Sequence, residues 1–347
     1  MRDAVKVFQI AFTYIGTVVG AGFASGQEIL QFFTVHGSVA TWAILAAALL
    51  FIWLGVKVML IAHDIQAYSY EDLNRHLFGE KAGRAISYIM LAVLFGITSV
   101  MLAGAGAVLN ERFHVPYQIG LLLTLICAFF VIIRGVDAIL AVNSVVVPFM
   151  LLLTAVIVIA ALKAPNADFW LSRAGDGNWM RLTVSPLLYT GFNLALAQAV
   201  LVPIGASTRE RKHLIWGGIF GGAGIALMLL AGHIALSVEM PGIAQFEIPM
   251  AAIVARFAPA VQFLYVFLIY AEIFTTLIAN GYGLALQLEQ RVPFGRPMLV
   301  LMVLMSSYAV SQIGFGNLIG FLYPLFGLIS LVWLWKMIRI PFSPRVW

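Results

Sequence analysis

The chain has 347 residues, of which 62% are hydrophobic and only 10% charged, with a mean hydropathy of +1.00. A soluble domain carries about a quarter charged residues, so a soluble enzyme, a disordered chain and a nucleic-acid binder are excluded as classes. The net charge of +5 therefore matters for how it is distributed across a bilayer, not as a sign of an anionic partner.

Cys127 is the single cysteine, so neither an intrachain disulfide nor a multi-thiolate zinc site is available. Met1 to Lys6 and the apolar run behind them resemble a signal peptide ending at Ala24. The run is too long and too glycine-broken for an h-region, and it is read as retained.

A spanning helix needs about 20 mostly apolar residues. Ten windows qualify: 7–33, 39–62, 85–109, 117–133, 138–162, 182–205, 214–238, 259–286, 298–313 and 315–335. No barrel-like alternation of apolar and polar residues occurs, so the spans are helices. With both termini cytoplasmic, fourteen Lys and Arg, from Arg2 and Lys6 to Lys336, Arg339 and Arg345, fall inside. Five fall outside: Arg112, Lys163, Arg173, Arg181 and Arg256. Lys57 lies near the inner end of the second span, where its stem can snorkel. Ten spans divide as five plus five, 1–165 and 166–347. An odd number in each half inverts the second against the first.

The first span contains Gly16-Thr17-Val18-Val19-Gly20-Ala21-Gly22-Phe23-Ala24-Ser25-Gly26. Four glycines there admit two readings, a small-residue packing face or a helix unwound near Gly20 to Gly22. Unwinding would offer backbone groups to a bound solute. Glu28 follows, as a gate, a proton acceptor or a partner for Arg181. The loop Ser69 to Arg75 reads as a capped interfacial helix. His36 and His63 stand at span ends, near water. Asn143 in the fifth span and His233 in the seventh read as helix–helix contacts.

The sixth span carries Ser185-Pro186, Thr190-Gly191-Phe192-Asn193, Gln198 and Pro203, consistent with a second break or with proline kinks and interhelical hydrogen bonds. The eighth holds Glu272, Thr275 and Thr276, which share one helical face. An acid at mid-membrane depth costs several kcal/mol and by default marks function. With the two hydroxyls it suits a hard cation or a transferable proton. Trp333, Trp335 and Trp347 fit an interfacial belt. Zinc-protease, phosphate-loop and serine-elbow motifs are all missing, so the reading is not an enzyme and includes no cofactor.

The run from Ala11 to Phe33, with the ten-span layout and the Ser69 to Gly79 loop, resembles the bacterial YkvI-type membrane proteins, grouped with amino-acid permeases of the amino acid–polyamine–organocation superfamily. The resemblance covers essentially the whole chain. It implies the leucine-transporter fold, an all-α membrane protein with two inverted five-helix repeats and broken first and sixth helices. It also implies a cation site from the Gly16 and Val19 carbonyls, the Glu272 carbonyl and the Thr275 and Thr276 hydroxyls. Sodium-coupled relatives carry a small residue where Glu272 stands, so the coupling ion is Na+ or H+. Val18, Gly20, Ala21 and Gly22, with Thr190, Phe192 and Asn193, would surround a small solute, with the substrate carboxylate held by backbone N–H groups near Ala21 and Gly22. The implied function is a secondary amino-acid transporter of the inner membrane; the rival is a receptor subunit that binds an amino acid without moving it.

Overall fold

A backbone in hydrocarbon must satisfy its own N–H and C=O groups, and helices do so within one segment. The computed structural model describes residues 2–164, 167–175, 177–246, 249–312 and 330–341, and their regular structure is entirely helical. The first span comprises α1 (Arg2–Val18), α2 (Ala21–Ala24) and α3 (Gln27–Phe32), followed by a 3-10 turn, Thr34–Val39. Then come α4 (Ala40–Ile65), α5 (Tyr70–Phe78), α6 (Glu80–Phe113), α7 (Tyr117–Ile133) and α8 (Val136–Leu162). The second half holds α9 (Phe169–Ser172), α10 (Trp179–Ser207), α11 (Arg211–Val238), α12 (Pro249–Val254), α13 (Pro259–Glu289) and α14 (Arg296–Ser311). Residues 330–339 form a last helix. Among the described residues, six helices are long and apolar enough to cross a membrane, and α7 and α14 are shorter apolar ones. Most of the tenth window, the midpoint at 165–166 and Trp347 lie outside the described residues.

Each predicted window within the described residues coincides with a helix, for a simple reason. Helices that are apolar all round face both protein and lipid. On α7, Leu121, Leu125 and Ile132 are buried while Ile119, Leu122, Leu123, Ile126 and Phe130 are exposed.

The spans sort into two groups. In one, α4 packs along α10 and α11, and α1 along α11. In the other, α6 packs on α7, α13 and α14. Exchanging the first five spans for the last five turns the α4–α10 pair into α11–α1, and the α6–α14 pair into α13–α7. α8 leans on α1, α11 and α13.

The sixth span departs from expectation. α10 is continuous from Trp179 to Ser207 despite Pro186 and Pro203. Asn193 does not open it, because its Nδ2 donates to the Tyr189 carbonyl one turn back at 2.9 Å. Gly191 packs against the Ser330 carbonyl and Leu334 of the last helix, so its missing side chain serves close approach.

α5 starts as expected. Ser69 is its N-cap in a capping box; its Oγ accepts from Glu71 N at 3.2 Å, and Asp72 Oδ2 accepts from Ser69 N at 3.1 Å. On the same face, which also carries the N-terminus, Arg211 pairs with Asp64, and Lys212 bridges Asp3 (3.0 Å) and Glu210 (2.8 Å). Asp3, Glu210 and His213 are close enough to share a metal ion, but Lys212 already holds both carboxylates. On the opposite face, the segment before α10 closes over the 3-10 turn. Ser38 N donates to Arg173 O at 3.0 Å, and Gly175 sits directly on the His36 carbonyl, with His36 only 3% exposed.

Lys57 is buried as well. It is 1% exposed, and its Nζ donates to the carbonyls of Met337 (2.6 Å) and Ile338 (3.3 Å) at the end of the last helix. A cation there satisfies orphan carbonyls and complements the helix dipole. Lys57→Met is expected to lower stability by about 1–3 kcal/mol, since it leaves buried acceptors bare. A melting curve of the detergent-solubilised variant checks this, and an unchanged melting temperature would mean that the contact contributes no net stability.

Candidate functional site

The first span breaks twice. α1 ends at Val18 and α2 starts at Ala21; Ser25 and Gly26 then separate α2 from α3, with Gly26 at φ 83°, a conformation that favours glycine. Helix ends leave backbone carbonyls and N–H groups without intrahelical partners. The unwound reading of the glycine run is therefore correct, and the packing reading holds as well. A Cβ on Gly16 would fall on Asn143 Oδ1 of α8, and one on Gly20 would lie 3.2 Å from Thr276 Oγ1.

The eighth span, α13, faces this break. Thr275 Oγ1 lies 3.0 Å from the Glu272 carbonyl and 3.4 Å from the Gly16 carbonyl. Three of the five expected cation ligands thus meet at one point. The fourth, Thr276 Oγ1, has no hydrogen-bond partner among the described residues, so its hydroxyl is not spent on its own helix. Val19, whose carbonyl would be the fifth, is fully buried beside Gly20. Glu272 is 0% exposed, and neither carboxylate oxygen has a partner among the described residues. The set consists of hydroxyls, carbonyls and one carboxylate, and these oxygens fit a hard cation such as Na+. A proton on the carboxylate would neutralise the same charge.

Toward the other face, the Tyr265 hydroxyl donates to the Ala24 carbonyl, tying α13 to the end of α2. Met250 N donates to Ser25 O at 3.0 Å, tying α12 to the second break. Glu28, on α3, folds back so that its carboxylate covers Gly22, with Cδ 2.7 Å from where a Cβ would stand. Arg181, the partner considered for Glu28, instead lines an outer cavity of about 730 Å³ with Gln31, Phe32 and His36.

The expected residues of the sixth span are less directed to the break. Thr190 and Asn193 are buried, Phe192 half-buried, and the Asn193 amide N–H is engaged by Tyr189. Tyr189 itself packs its ring on Phe32, Phe33 and Phe51. Val18 is buried, and Gly20 and Gly22 are half-buried at the break.

Asn143, read from the sequence as a helix–helix contact, meets Gly16 of α1, a neighbour that the sequence did not name. Its Nδ2 donates to Ile139 O at 2.9 Å, while Oδ1 points at Gly16 without a partner among the described residues. A lone amide in the apolar α8 was the available signal. His233 does make the expected interhelical contact, its Nδ1 lying 3.2 Å from Thr34 Oγ1.

No protein-family model matches the chain. It is 40% identical over 329 residues to a protein described as an uncharacterized membrane protein, YkvI, of Bacillus subtilis (strain 168), covering 94% of this chain and 93% of that one. The chain belongs to the YkvI family. A second relative from the same organism, YyaD, is 29% identical over 334 residues and covers 94% of each chain.

Among solved structures, this YkvI-family chain is similar to MhsT in complex with L-phenylalanine (TM-score 0.69, 16% identity, 93% of this chain and 87% of that one). It is also similar to a Na+-coupled sialic acid symporter in a substrate-bound outward-open state (TM-score 0.71, 11% identity, 96% and 79%). A third is Mhp1, a nucleobase-cation-symport-1 family transporter in a closed conformation (TM-score 0.63, 16% identity, 93% and 74%). At these identities the likeness establishes the fold, that of the leucine-transporter-like membrane proteins. The YkvI-family chain is therefore an all-α, multi-pass membrane protein of inverted-repeat architecture.

Proposed function

We propose that the chain is a secondary active transporter for a small zwitterionic solute of the amino-acid class, coupled to Na+ or H+. The observation that carries this reading is the fully buried, unpartnered Glu272 carboxylate opposite the broken first span. An uncompensated acid at that depth is costly, and a coupling ion or proton offsets the cost. Gly16, Val19, Glu272, Thr275 and Thr276 hold the cation or proton. Backbone N–H groups near Ala21 and Gly22 receive the substrate carboxylate, beside Val18 and Gly20, with Thr190, Phe192 and Asn193 shaping the far wall. Glu28 covers Gly22 and acts as the gate, since its carboxylate has to swing away before a substrate carboxylate reaches the same N–H groups.

The two halves, 1–165 and 166–347, form one unit in the inner membrane with both termini cytoplasmic. Transport follows as the group of α1, α4, α10 and α11 rocks against that of α6, α7, α13 and α14. An ion drives it only by binding one conformation better than the other. Small-residue contacts between the groups suit such sliding.

The test is a thermal-shift panel of amino acids on purified protein, in sodium and in potassium, at two pH values. A ligand at about 100 times its Kd adds roughly 2.7 kcal/mol to the state that binds it. A sodium-dependent shift for one amino-acid class is the expected result for a cation site, and a pH-dependent, sodium-indifferent shift for a proton site. Purified protein in liposomes must then accumulate that amino acid against its gradient. A shift without accumulation would mean a receptor, and no shift for any amino acid would overturn the substrate class.

A further inference from the structure

The polar face of α13 does not stop at Thr276. At 100° per residue, Glu272, Thr276, Asn280, Gly283 and Gln287 fall within an arc of about 80°, and they climb about 22 Å along the axis. All four polar members are at least nine-tenths buried. Asn280 Nδ2 and Gln287 Oε1 have no partner among the described residues. Unpaired amides in a membrane interior are costly, and buried amides of this kind are normally satisfied by water when protein offers nothing.

The far end of this face reaches a polar opening. Gln287 Nε2 donates to Ser87 O of α6 at 3.1 Å and to Glu71 Oε2 of α5 at 3.4 Å. Glu71 pairs with Arg291, and both line a cavity of about 480 Å³ with Arg75, Arg84 and Tyr88 on the face that carries the N-terminus. Midway, a Cβ on Gly283 would collide with Ala199 of α10, so this contact is the seal. The opposite side of α13 is apolar, with Gly281 against Ile132 of α7. Gly283 belongs to one rocking group and Ala199 to the other, so the motion that exposes one face of the protein is the motion that parts this contact.

We infer that Thr276, Asn280 and Gln287 line a water-accessible path that connects the Glu272 carboxylate to the Glu71–Arg291 cavity and opens where Gly283 separates from Ala199. The inference rests on the reading of Glu272 as the coupling acid and names the route by which its ion or proton leaves. Glu71 and Arg291 form the mouth, where a paired acid and base hold the cavity open to water.

The experiment is thiol labelling in membrane vesicles. The native Cys127, exposed on α7, is replaced by serine. Single cysteines then replace Asn280, Gln287 and, as a control on the far side of the helix, Ala285. The probe is the membrane-impermeant (2-sulfonatoethyl) methanethiosulfonate, applied to right-side-out and to inside-out vesicles, with folding checked by size-exclusion profile. Asn280→Cys and Gln287→Cys should label at least tenfold faster than Ala285→Cys, and only from the face that carries the N-terminus. Should Gln287→Cys misfold, Ser87→Cys on the facing helix reads the same mouth. Equal rates at 280 and 285, or labelling from the opposite face, would overturn the path. No substrate enters the assay, so the two readings fail separately. A chain that labels as expected but moves nothing defeats the transporter reading. One that accumulates solute without labelling at 280 defeats the path.

Discussion

Glu272→Gln is expected to abolish ion-driven accumulation in proteoliposomes, by a hundredfold or more, while the protein keeps its size-exclusion profile. Glutamine preserves the shape of the side chain and its place opposite Gly16, but it carries neither a negative charge nor a titratable proton. Every oxygen of the neutral set remains, namely the backbone carbonyls of residues 16, 19 and 272 and the Thr275 and Thr276 hydroxyls. The experiment therefore isolates the carboxylate. Two further readouts sharpen it. Without ligand or sodium the variant should melt higher than the wild type, because a buried carboxylate with no partner is replaced by a group that is cheaper to bury. Facilitated, non-accumulating exchange of substrate should survive, since the backbone site in the first span is untouched. Accumulation at the wild-type level would remove Glu272 from the coupling mechanism.

Gly16→Ala should have the second-largest effect. The added methyl would fall on Asn143 Oδ1 and lie 3.0 Å from Val147 Cγ2. Overpacking of this kind costs about 1–3 kcal/mol. Because the Gly16 carbonyl is also the acceptor facing Thr275, pushing α1 away from α8 carries that oxygen off the site. The variant is expected to melt lower and to lose any sodium-dependent stabilisation. Asn143→Ala in the same chain makes room for the methyl, and the double variant should recover most of the lost stability. Contacting residues couple in this way, whereas independent ones add. A double variant no more stable than the single one would place the cost of Gly16→Ala elsewhere than at Asn143.

The spans were legible because length and apolarity alone decide what crosses a bilayer, and the glycine run marked the broken helix. The face shared by Glu272, Thr275 and Thr276 was legible from helical spacing. Three things were not. The continuity of α10 depends on Asn193 bonding back to its own helix, and no pattern separates that from an amide that opens one. Asn143 became a neighbour of Gly16 only through the packing of α8 on α1, which is a tertiary fact. Lys57 looked like a snorkelling side chain because its partners lie at 337 and 338, on a helix that sequence reading had no reason to place beside α4.

That last contact has a consequence for biosynthesis. Lys57 and the carbonyl that receives its shortest hydrogen bond are 280 positions apart in sequence. At roughly 5–20 residues per second, the ribosome makes the acceptor helix some tens of seconds after the second helix has left it. During that interval an ammonium group stays inside a young helix bundle with its final partner not yet made. The contact that ties the second helix to the last one therefore closes late, after every helix between them has been made.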